Sequence, residues 1–431
     1  MKLLKGMADA NKSRVLWSLA VAVAASSIAT AAVADTVVSR GGITIKSADG
    51  NFEAAVGGRI HFDASLLSPD DGSALGISDA SNRSGFFFRR AFLTLKGKLY
   101  GFDYHLDEDF SDTKSPADGL RNVWFAHALG SGGTLYVGQH KPWRSLDELA
   151  SSNNTPLQER NVLSANGILG GRNYTQGLFY KWNRGGMFAK GDALWLGASL
   201  YSDTRGGKGG GRGFGANGRV AYAPIAGKAG WLHFGLNYSY DTAAGDGSGF
   251  GPPKAGYSTW YGKQGNPANV ARFGNGHSAS AGTAIGEIAG AYGPIYLQGE
   301  YGVAHLQQQP RQADILAYSV TIAWAITGET RGYGTSDATY KGLTPRHSYG
   351  AVELALRYDD IKNKDLSTCA LSGGASSGAT RCEVSSITAG INYYLNPDVR
   401  FLLDYQHGQA DAGAAGKDSP DVVEARAQIV W

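Results

Sequence analysis

The strongest constraint on the fold is a period-two alternation of apolar and charged residues that recurs along the chain. Successive side chains of a β-strand point to opposite faces, so this pattern predicts strands with one apolar and one polar face. The polar faces carry full charges in strand after strand, as a water-filled interior permits. The clearest segments span residues 51–64, 232–240, 295–303, 352–358 and 399–406.

Half-buried strands of a soluble β-sandwich show the same alternation, so further features have to distinguish that fold from a membrane barrel. Tyrosine and tryptophan gather near strand ends, as at Tyr393-Tyr394 and Trp260-Tyr261, where barrels carry interfacial girdles. Short connections alternate with long ones rich in Gly, Ser, Asn and Asp, such as 241–275. Beyond the N-terminus, no segment offers the ~18 apolar residues of a transmembrane helix. These features favour an all-β, transmembrane antiparallel β-barrel.

The C-terminal segment VVEARAQIVW has the strongest strand pattern of the chain. Its odd-numbered residues from Val423 to Trp431 are apolar, whereas Glu424, Arg426 and Gln428 face the other way. The segment resembles the last strand of outer-membrane barrels, which ends in an aromatic residue that the insertion machinery reads. Most of those proteins end in Phe rather than Trp.

The N-terminus has the three parts of a secretory signal peptide. Four basic residues precede an apolar, alanine-rich run from Val15 to Ala25, and small residues then lead to an A-x-A site at Ala32–Ala34. We expect residues 1–34 to be a cleaved signal peptide and residues 35–431 to form the barrel; a membrane anchor is the alternative. Of the 431 residues 397 would remain, which at ~10 residues per strand plus turns predicts about 16 strands. Such a barrel is wide enough for an aqueous channel.

Removal of this leader would balance the charge of the chain. The leader holds four of the 40 basic residues and one of the 37 acidic residues, so 36 of each remain. No net field would then attract nucleic acid. Any selectivity between ions must come from the local arrangement of charges.

The two cysteines of the chain, Cys369 and Cys382, bracket the segment ALSGGASSGATR. In an oxidising compartment they would form a disulfide that closes a flexible surface loop. Two free thiols are the alternative.

One segment between strands breaks the period of two. Residues 140–174 follow the strand at Gly133–Gly138 and contain Ser145 and Glu148 in the S-x-x-E spacing of a helix capping box. A helical turn within a long polar connection predicts a loop that folds into the barrel and constricts the channel. An ordinary external loop is the alternative, because long loops are common on the extracellular side.

Three blocks of sequence resemble the phosphate-selective porin O and P family. They are GGITIKSADGNFEAAVGGRIHFD, FFFRRAFLTLKGKLYGFDYHLDEDFS, and GQHKPWRSLDELASSN with the LQER that follows it. Weaker similarity continues to the C-terminus, so the resemblance covers essentially the whole mature chain. It implies a trimeric, sixteen-stranded outer-membrane porin whose constriction is formed by an inward loop. In the anion-selective members of that family, arginines, lysines and loop serines bind phosphate.

Residue by residue, the resemblance assigns the anion site to Arg59, to the pair Arg89 and Arg90, and to the loop serines Ser151 and Ser152. Guanidinium groups bind phosphate through two parallel hydrogen bonds. Serine hydroxyls complete the hydrogen bonds of an oxyanion. The chemistry of these residues therefore agrees with the role that the resemblance implies.

The sequence departs from the family pattern at positions that decide ion selectivity. Glu148 and Asn153 stand where phosphate-selective members carry lysines. Carboxylates that line a pore attract cations, and the lumen face of segment 102–110 carries Asp103, Asp107 and Asp109. Lys141 and Arg144, a few residues upstream in the loop, are the residues that would restore positive charge.

The leading interpretation is a non-enzymatic outer-membrane porin in which small hydrophilic solutes, phosphate among them, diffuse passively through a trimeric barrel surrounded by outer-membrane lipid. A general or cation-preferring porin is the first alternative. A barrel enzyme and a loop-based receptor or adhesin are more remote. H-E-x-x-H does not occur, and the G-x-S-x-G match at Gly374–Gly378 lies in a Gly- and Ser-rich segment rather than at the strand-to-helix turn that such a nucleophile needs. We expect no cofactor, no metal site and no nucleic-acid partner.

Strand parity predicts the orientation of GFFFRRAFLTLKGKLYG, residues 85–101. The leucines of this segment would face lipid or a neighbouring subunit, whereas Arg90, Lys96 and Lys98 would line the lumen. Arg89 falls on the lipid side, where a cation at the bilayer midplane costs about 2–4 kcal/mol. We therefore predict either a bulge that turns Arg89 inward or a position at the membrane interface.

Overall fold

Sixteen strands form one closed antiparallel barrel, as the sequence predicts. The computed structural model describes residues 34–39, 42–68, 75, 84–111, 119–165, 169, 174–202, 213–243, 255–257, 268–271, 279–371 and 378–431. Each barrel strand pairs with the next along the chain. The last strand pairs with the first and closes the ring, with Ile429 opposite Ile60.

The strands are long enough, for the most part, to cross a bilayer at the tilt of a barrel strand, which takes ~9–11 residues. In the described part of the chain no helix is long and apolar enough to cross a membrane. In chain order the barrel strands are β1 (Phe52–Ser68), β2 (Gly85–Leu99), β3 (Phe102–Asp109), β4 (Leu120–Gly130), β5 (Gly133–His140), β6 (Thr175–Gly185), β7 (Ala193–Ser202), β8 (Phe214–Ala226), β9 (Gly230–Ala243), β10 (Ala279–Tyr292), β11 (Ile295–Gln308), β12 (Arg311–Ala325), β13 (Ala351–Asn363), β14 (Glu383–Tyr394), β15 (Val399–Asp411) and β16 (Asp421–Val430).

Alternating burial along each strand separates a polar interior from an apolar exterior. On β11, Leu297, Tyr301 and Val303 are exposed on the outer surface, whereas Gln298 and Glu300 between them are buried inside. The same alternation runs along β12 to β15. The barrel therefore presents an apolar wall to lipid and keeps its charges inside, which confirms the predicted fold class.

A hairpin precedes the barrel at the rim that also holds the C-terminus. Its strands are Ala34–Ser39 and Gly42–Ser47, and the second of them pairs with residues 53–56 of β1. Residues 1–33 of the expected signal peptide lie outside the described residues, and Ala34 is the first residue of the hairpin.

The expected alternation of short and long connections fails at two places. At the rim with the C-terminus, residues 326–350 form a long connection because they enter the barrel, where Tyr333–Gly334 pairs with Thr339–Tyr340. At the opposite rim, residues 309–310 alone join β11 to β12. The short turns of the first rim are 100–101, 131–132, 186–192, 227–229, 293–294 and 395–398.

Cys369 and Cys382 form the predicted disulfide, which excludes the alternative of two free thiols. The bond lies within the connection between β13 and β14, at the rim with the long loops. Structural disulfides persist in oxidising compartments, so the bond agrees with an exported protein.

The C-terminal residue continues the hydrogen-bond ladder that closes the barrel. The Trp431 N–H donates to the Gly58 carbonyl at 3.0 Å, and the Gly58 N–H donates to the Trp431 carbonyl at 2.9 Å. A Cβ on Gly58 would overlap both the Trp431 ring and the Phe92 carbonyl oxygen. The Gly57-Gly58-Arg59 motif therefore leaves room for the terminal indole to pack against β1.

We expect Gly58→Ala to weaken this closure, because β16 or the Trp431 ring must shift, at a cost of about 1–3 kcal/mol. The temperature at which the folded barrel loses its heat-modifiable mobility on SDS gels measures the loss. Gly286→Ala on β10 is the matched control, since a Cβ there meets open space. Equal transition temperatures for the two variants would contradict the role of Gly58.

Candidate functional site

The connection between β5 and β6, residues 141–174, folds into the barrel and is called the constriction loop below. It contains two single helical turns, α1 (Leu146–Leu149) and α2 (Val162–Ala165), in which Leu146, Val162 and Leu163 are buried. Ser145 caps α1, since its hydroxyl accepts a hydrogen bond from the Glu148 N–H at 3.4 Å. The predicted N-cap at Ser145 and the inward fold are confirmed, and the external-loop alternative is wrong. The Glu148 carboxylate does not complete the capping box, because it pairs with Lys141 and Arg160.

The first half of the constriction loop is held by carboxylates of β9 and β11. Arg144 forms a fully buried ion pair with Asp241 of β9. Glu300 of β11 accepts hydrogen bonds from the Ser145 hydroxyl at 2.8 Å and from the Leu146 N–H at 2.7 Å. Because an unmatched buried charge costs several kcal/mol, these contacts fix the start of α1 against the wall.

Arg144 therefore does not line the channel, contrary to the expectation that it supplies positive charge there. Its side chain is fully buried behind the loop, because the carboxylate that neutralises it lies on the barrel wall. The sequence gives no sign of this pair, since Arg144 and Asp241 are 97 positions apart.

The second half of the constriction loop is held where β16 meets β1. Arg426 of β16 pairs with Asp63 of β1 at 2.7 Å and donates to the Gln158 carbonyl at 2.8 Å. It also lies 3.3 Å from Glu159. Glu159 in turn accepts two hydrogen bonds from Arg89, at 2.6 and 2.8 Å. One network of two carboxylates and two guanidinium groups thus joins the loop to three strands.

A β-bulge turns Arg89 into this network. Arg90 lies opposite His61 of β1, whereas Phe88 lies opposite Phe62, so Arg89 is the extra residue between two register positions. A bulge shifts the parity of a strand, and both arginines consequently point into the lumen while Phe88 is exposed outside. The predicted bulge is confirmed, and the interfacial position is excluded.

The second inward segment, residues 326–350, supports the constriction loop from the opposite rim. Arg331 pairs with Glu353 of β13 and donates to the Asn154 carbonyl of the loop. The Tyr340 hydroxyl donates to the Asp147 carboxylate at 2.6 Å. Sequence reasoning missed this segment. The sequence feature that could have indicated this segment is a long connection, rich in arginine and tyrosine, at a rim where the other turns are short.

Between the constriction loop and strands β1 to β6 lies a cavity of about 950 Å³. It brings together all the predicted anion-site residues except Arg144, namely Arg59, Arg89, Arg90, Lys141, Ser151 and Ser152. Of the predicted acidic residues, Asp107, Asp109 and Glu148 line it as well. Asp103 does not line it and lies opposite Lys98, nearer the rim. The sequence did not predict the lining residues Arg121, Glu159, Arg160, Lys181 and Lys341.

Most carboxylates of this cavity are already matched by protein groups. Asp109 pairs with Arg121 at 2.9 Å, and Glu148 pairs with Lys141 at 2.6 Å. Asp107 accepts hydrogen bonds from a threonine and an asparagine on the neighbouring strands. The lining contains nine Lys and Arg residues against six Asp and Glu residues, an excess of three positive charges.

Arg59 and Arg90 differ from the other arginines of the cavity. Among the described residues neither has a carboxylate within ion-pair distance. Arg59 instead stacks on Phe92, with 3.8 Å from its guanidinium carbon to the ring centroid. Nε of Arg59 and Nη1 of Arg90 find no hydrogen-bond partner in the described part of the chain. Both residues are half-buried and line the cavity, so we expect their guanidinium groups to attract a solute anion.

Lys141, at the start of the constriction loop, has a lowered pKa. Burial lowers the pKa of its ammonium to about 8, although Glu148 beside it acts in the opposite direction. Arg160 nearby adds to the lowering by repulsion. Lys141 therefore changes charge close to neutral pH.

Comparison with known proteins agrees with the architecture. The family model described as phosphate-selective porin O and P matches residues 55–431. Porin O of Pseudomonas aeruginosa is 27% identical over 451 aligned residues, which cover 97% of this chain and 98% of that protein.

Two solved structures have a similar fold. The outer-membrane channel DcaP of Acinetobacter baumannii is 10% identical with a TM-score of 0.51, over 90% of this chain and 99% of that one. The trimer form of OmpT, an outer-membrane protein of Vibrio cholerae, is also 10% identical with a TM-score of 0.51, over 88% of this chain and 99% of that one. At this identity the two structures show the fold alone.

The ion selectivity of the channel should change with pH because of Lys141. Its charge is present below pH 8 and is lost as the pH rises through 8, so the anion-to-cation permeability ratio should fall between about pH 7 and 9. Reversal potentials in a KCl gradient across a planar bilayer measure this ratio. In Lys141→Arg the charge persists, and the change should disappear. A wild-type ratio that stays constant over this range would contradict the lowered pKa.

Proposed function

The chain belongs to the phosphate-selective porin O and P family, and on that premise we propose that its outer-membrane channel prefers small anions, phosphate among them. The solutes diffuse passively through the cavity beside the constriction loop. Water fills the lumen, and the wall of the cavity selects the sign of the charge.

The observation that carries this proposal is the unequal pairing of charges in the cavity. Its carboxylates are occupied by arginine, lysine or neutral donors, whereas Arg59 and Arg90 line the cavity with no carboxylate within ion-pair distance in the described part of the chain. A cation that enters would compete with cations already bound to those carboxylates. An anion that enters meets donors that are free, so its desolvation is better compensated.

Phosphate is a suitable anion for this wall. A guanidinium group offers paired N–H donors whose spacing matches two phosphate oxygens. Ser151 and Ser152 line the same cavity and add hydroxyl donors. The family description is consistent with this choice.

A general or cation-preferring porin is the second candidate function. It is favoured by Asp107 and Asp109, which both line the cavity. Each of these carboxylates already accepts hydrogen bonds from at least two side chains. We therefore place the anion-preferring channel first.

We further infer that the protein is a homotrimer without enzymatic activity, exported with cleavage after Ala34. The trimer form of the V. cholerae structure supports the trimer. Membership of the porin family supports the passive function. Its apolar outer surface suits contact with outer-membrane lipid. Intact-mass measurement of the protein purified from outer membranes tests the cleavage, and cross-linking in detergent tests the trimer.

The double variant Arg59→Gln with Arg90→Gln removes the charges of the two unpaired arginines and keeps hydrogen-bonding side chains. We expect the anion-to-cation permeability ratio to fall and the half-blocking phosphate concentration to rise, each by about tenfold. Reversal potentials in a KCl gradient and block of chloride current by phosphate measure the two quantities.

Lys98→Gln is the matched control for this double variant. Lys98 lies on β2, two residues from Lys96, and is not part of the cavity lining. It should keep the wild-type ratio within about twofold. A cation-selective wild type that phosphate does not block would overturn the proposed function, as would a double variant with wild-type selectivity.

A further inference from the structure

Four aromatic side chains form a contiguous cluster in the cavity wall, called the aromatic platform below: Trp124, Tyr136, His140 and Trp143. Trp124 and His140 are half-buried, whereas Tyr136 and Trp143 are buried behind them. The ring centroids of Trp124 and Tyr136 are 4.9 Å apart, and those of His140 and Trp143 are 4.7 Å apart. Tyr136 and His140 link the two pairs at 5.5 Å. The platform spans β4, β5 and the start of the constriction loop.

The platform is fixed from behind by the barrel wall. Trp143 packs edge-on against the buried Trp195 at 5.4 Å, and its Nε1–H donates to the Ala198 carbonyl at 3.1 Å. A Cβ on Gly197 would overlap Trp195 and crowd Trp143. The rings are therefore preorganised, and a ligand that contacts them would not have to order them first.

Cations border the platform on two sides. The Lys181 ammonium on β6 lies 5.6 Å from the centroid of the Tyr136 ring. On the other side, Lys96 of β2, His105 of β3 and Trp124 of β4 occupy one row of directly opposed residues across the three strands. An apolar, aromatic surface between two lysines is more than a bare inorganic anion requires.

We propose that the channel has a binding site for small organic anions with a flat aromatic body, of which benzoate is the simplest. The ring would pack on the aromatic platform, and the anionic head would face Lys181 or Lys96. This inference rests on the anion preference proposed above and names a second class of solute for the same channel. An added aromatic contact strengthens binding by about twofold to tenfold.

Trp124 is the residue of the platform that best separates ligand binding from structural packing. Trp143 is buried and hydrogen-bonded, so it is needed to hold the loop. Trp124 is half-buried and lines the cavity, and its buried Nε1–H has no hydrogen-bond partner in the described part of the chain. A change at Trp124 therefore leaves the hydrogen bonds of the described residues intact.

The test compares three potassium salts as blockers of chloride current in the wild-type channel: benzoate, cyclohexanecarboxylate and acetate. The first two have the same charge and similar size, and only benzoate has an aromatic face. We expect benzoate to block at a concentration about threefold to tenfold lower than cyclohexanecarboxylate. Equal block by the three salts in an anion-selective channel would overturn the aromatic site and leave the proposed function standing.

Two variants identify the surface that is responsible. Trp124→Leu should remove the preference for benzoate over cyclohexanecarboxylate, and Trp124→Phe should retain most of it because a ring is still present. Both should keep the wild-type reversal potential in a KCl gradient, since neither changes a charge. A benzoate preference that persists in Trp124→Leu would contradict the role of the platform.

The reversal potential also separates the two proposals. If the wild-type channel prefers cations, the anion function fails and the aromatic-anion site fails with it. If the wild type prefers anions and does not distinguish benzoate from cyclohexanecarboxylate, the aromatic site alone is wrong. Heat-modifiable mobility on SDS gels shows that each variant is folded before its currents are compared.

Discussion

Buried charge pairs between the constriction loop and the barrel wall determine the shape of the channel. A loop with this many polar groups can stay inside a barrel only where each buried charge has a partner, because breaking such a pair costs about 3–5 kcal/mol. Arg144 with Asp241 holds one half of the loop, and Glu159 with Arg89 and Arg426 holds the other half. The loop is thereby anchored on β9, β16 and β2, and the open cavity lies between the loop and β1 to β6.

This arrangement separates the arginines that hold the loop from the two arginines that we propose to bind anions. Arg89, Arg144 and Arg426 form ion pairs with carboxylates and fix the backbone of the loop. Arg59 and Arg90 face the same lumen without an ion pair among the described residues, so their charge is available to solutes. We therefore propose that selectivity depends on which carboxylates are already neutralised, more than on how many carboxylates the lumen contains.

The local sequence pattern predicted the features that depend on residues close together in the chain. Strand parity gives the lumen face of each strand, and the misfit of Arg89 with that parity indicated the bulge that the structure contains. The Ser145–Glu148 spacing predicted the helical turn in the constriction loop. Contacts between residues far apart in the sequence could not be predicted in this way. The burial of Arg144 depends on Asp241, and the inward path of residues 326–350 depends on Glu353 and Asp147.

Anomalous X-ray diffraction from crystals soaked in rubidium bromide tests the central claim most directly, because it locates anions and cations in the same cavity. Unpaired arginines beside neutralised carboxylates predict bromide next to Arg59 and Arg90, with no rubidium at Asp107 or Asp109. Rubidium at those two carboxylates, with no bromide near the two arginines, would contradict the account.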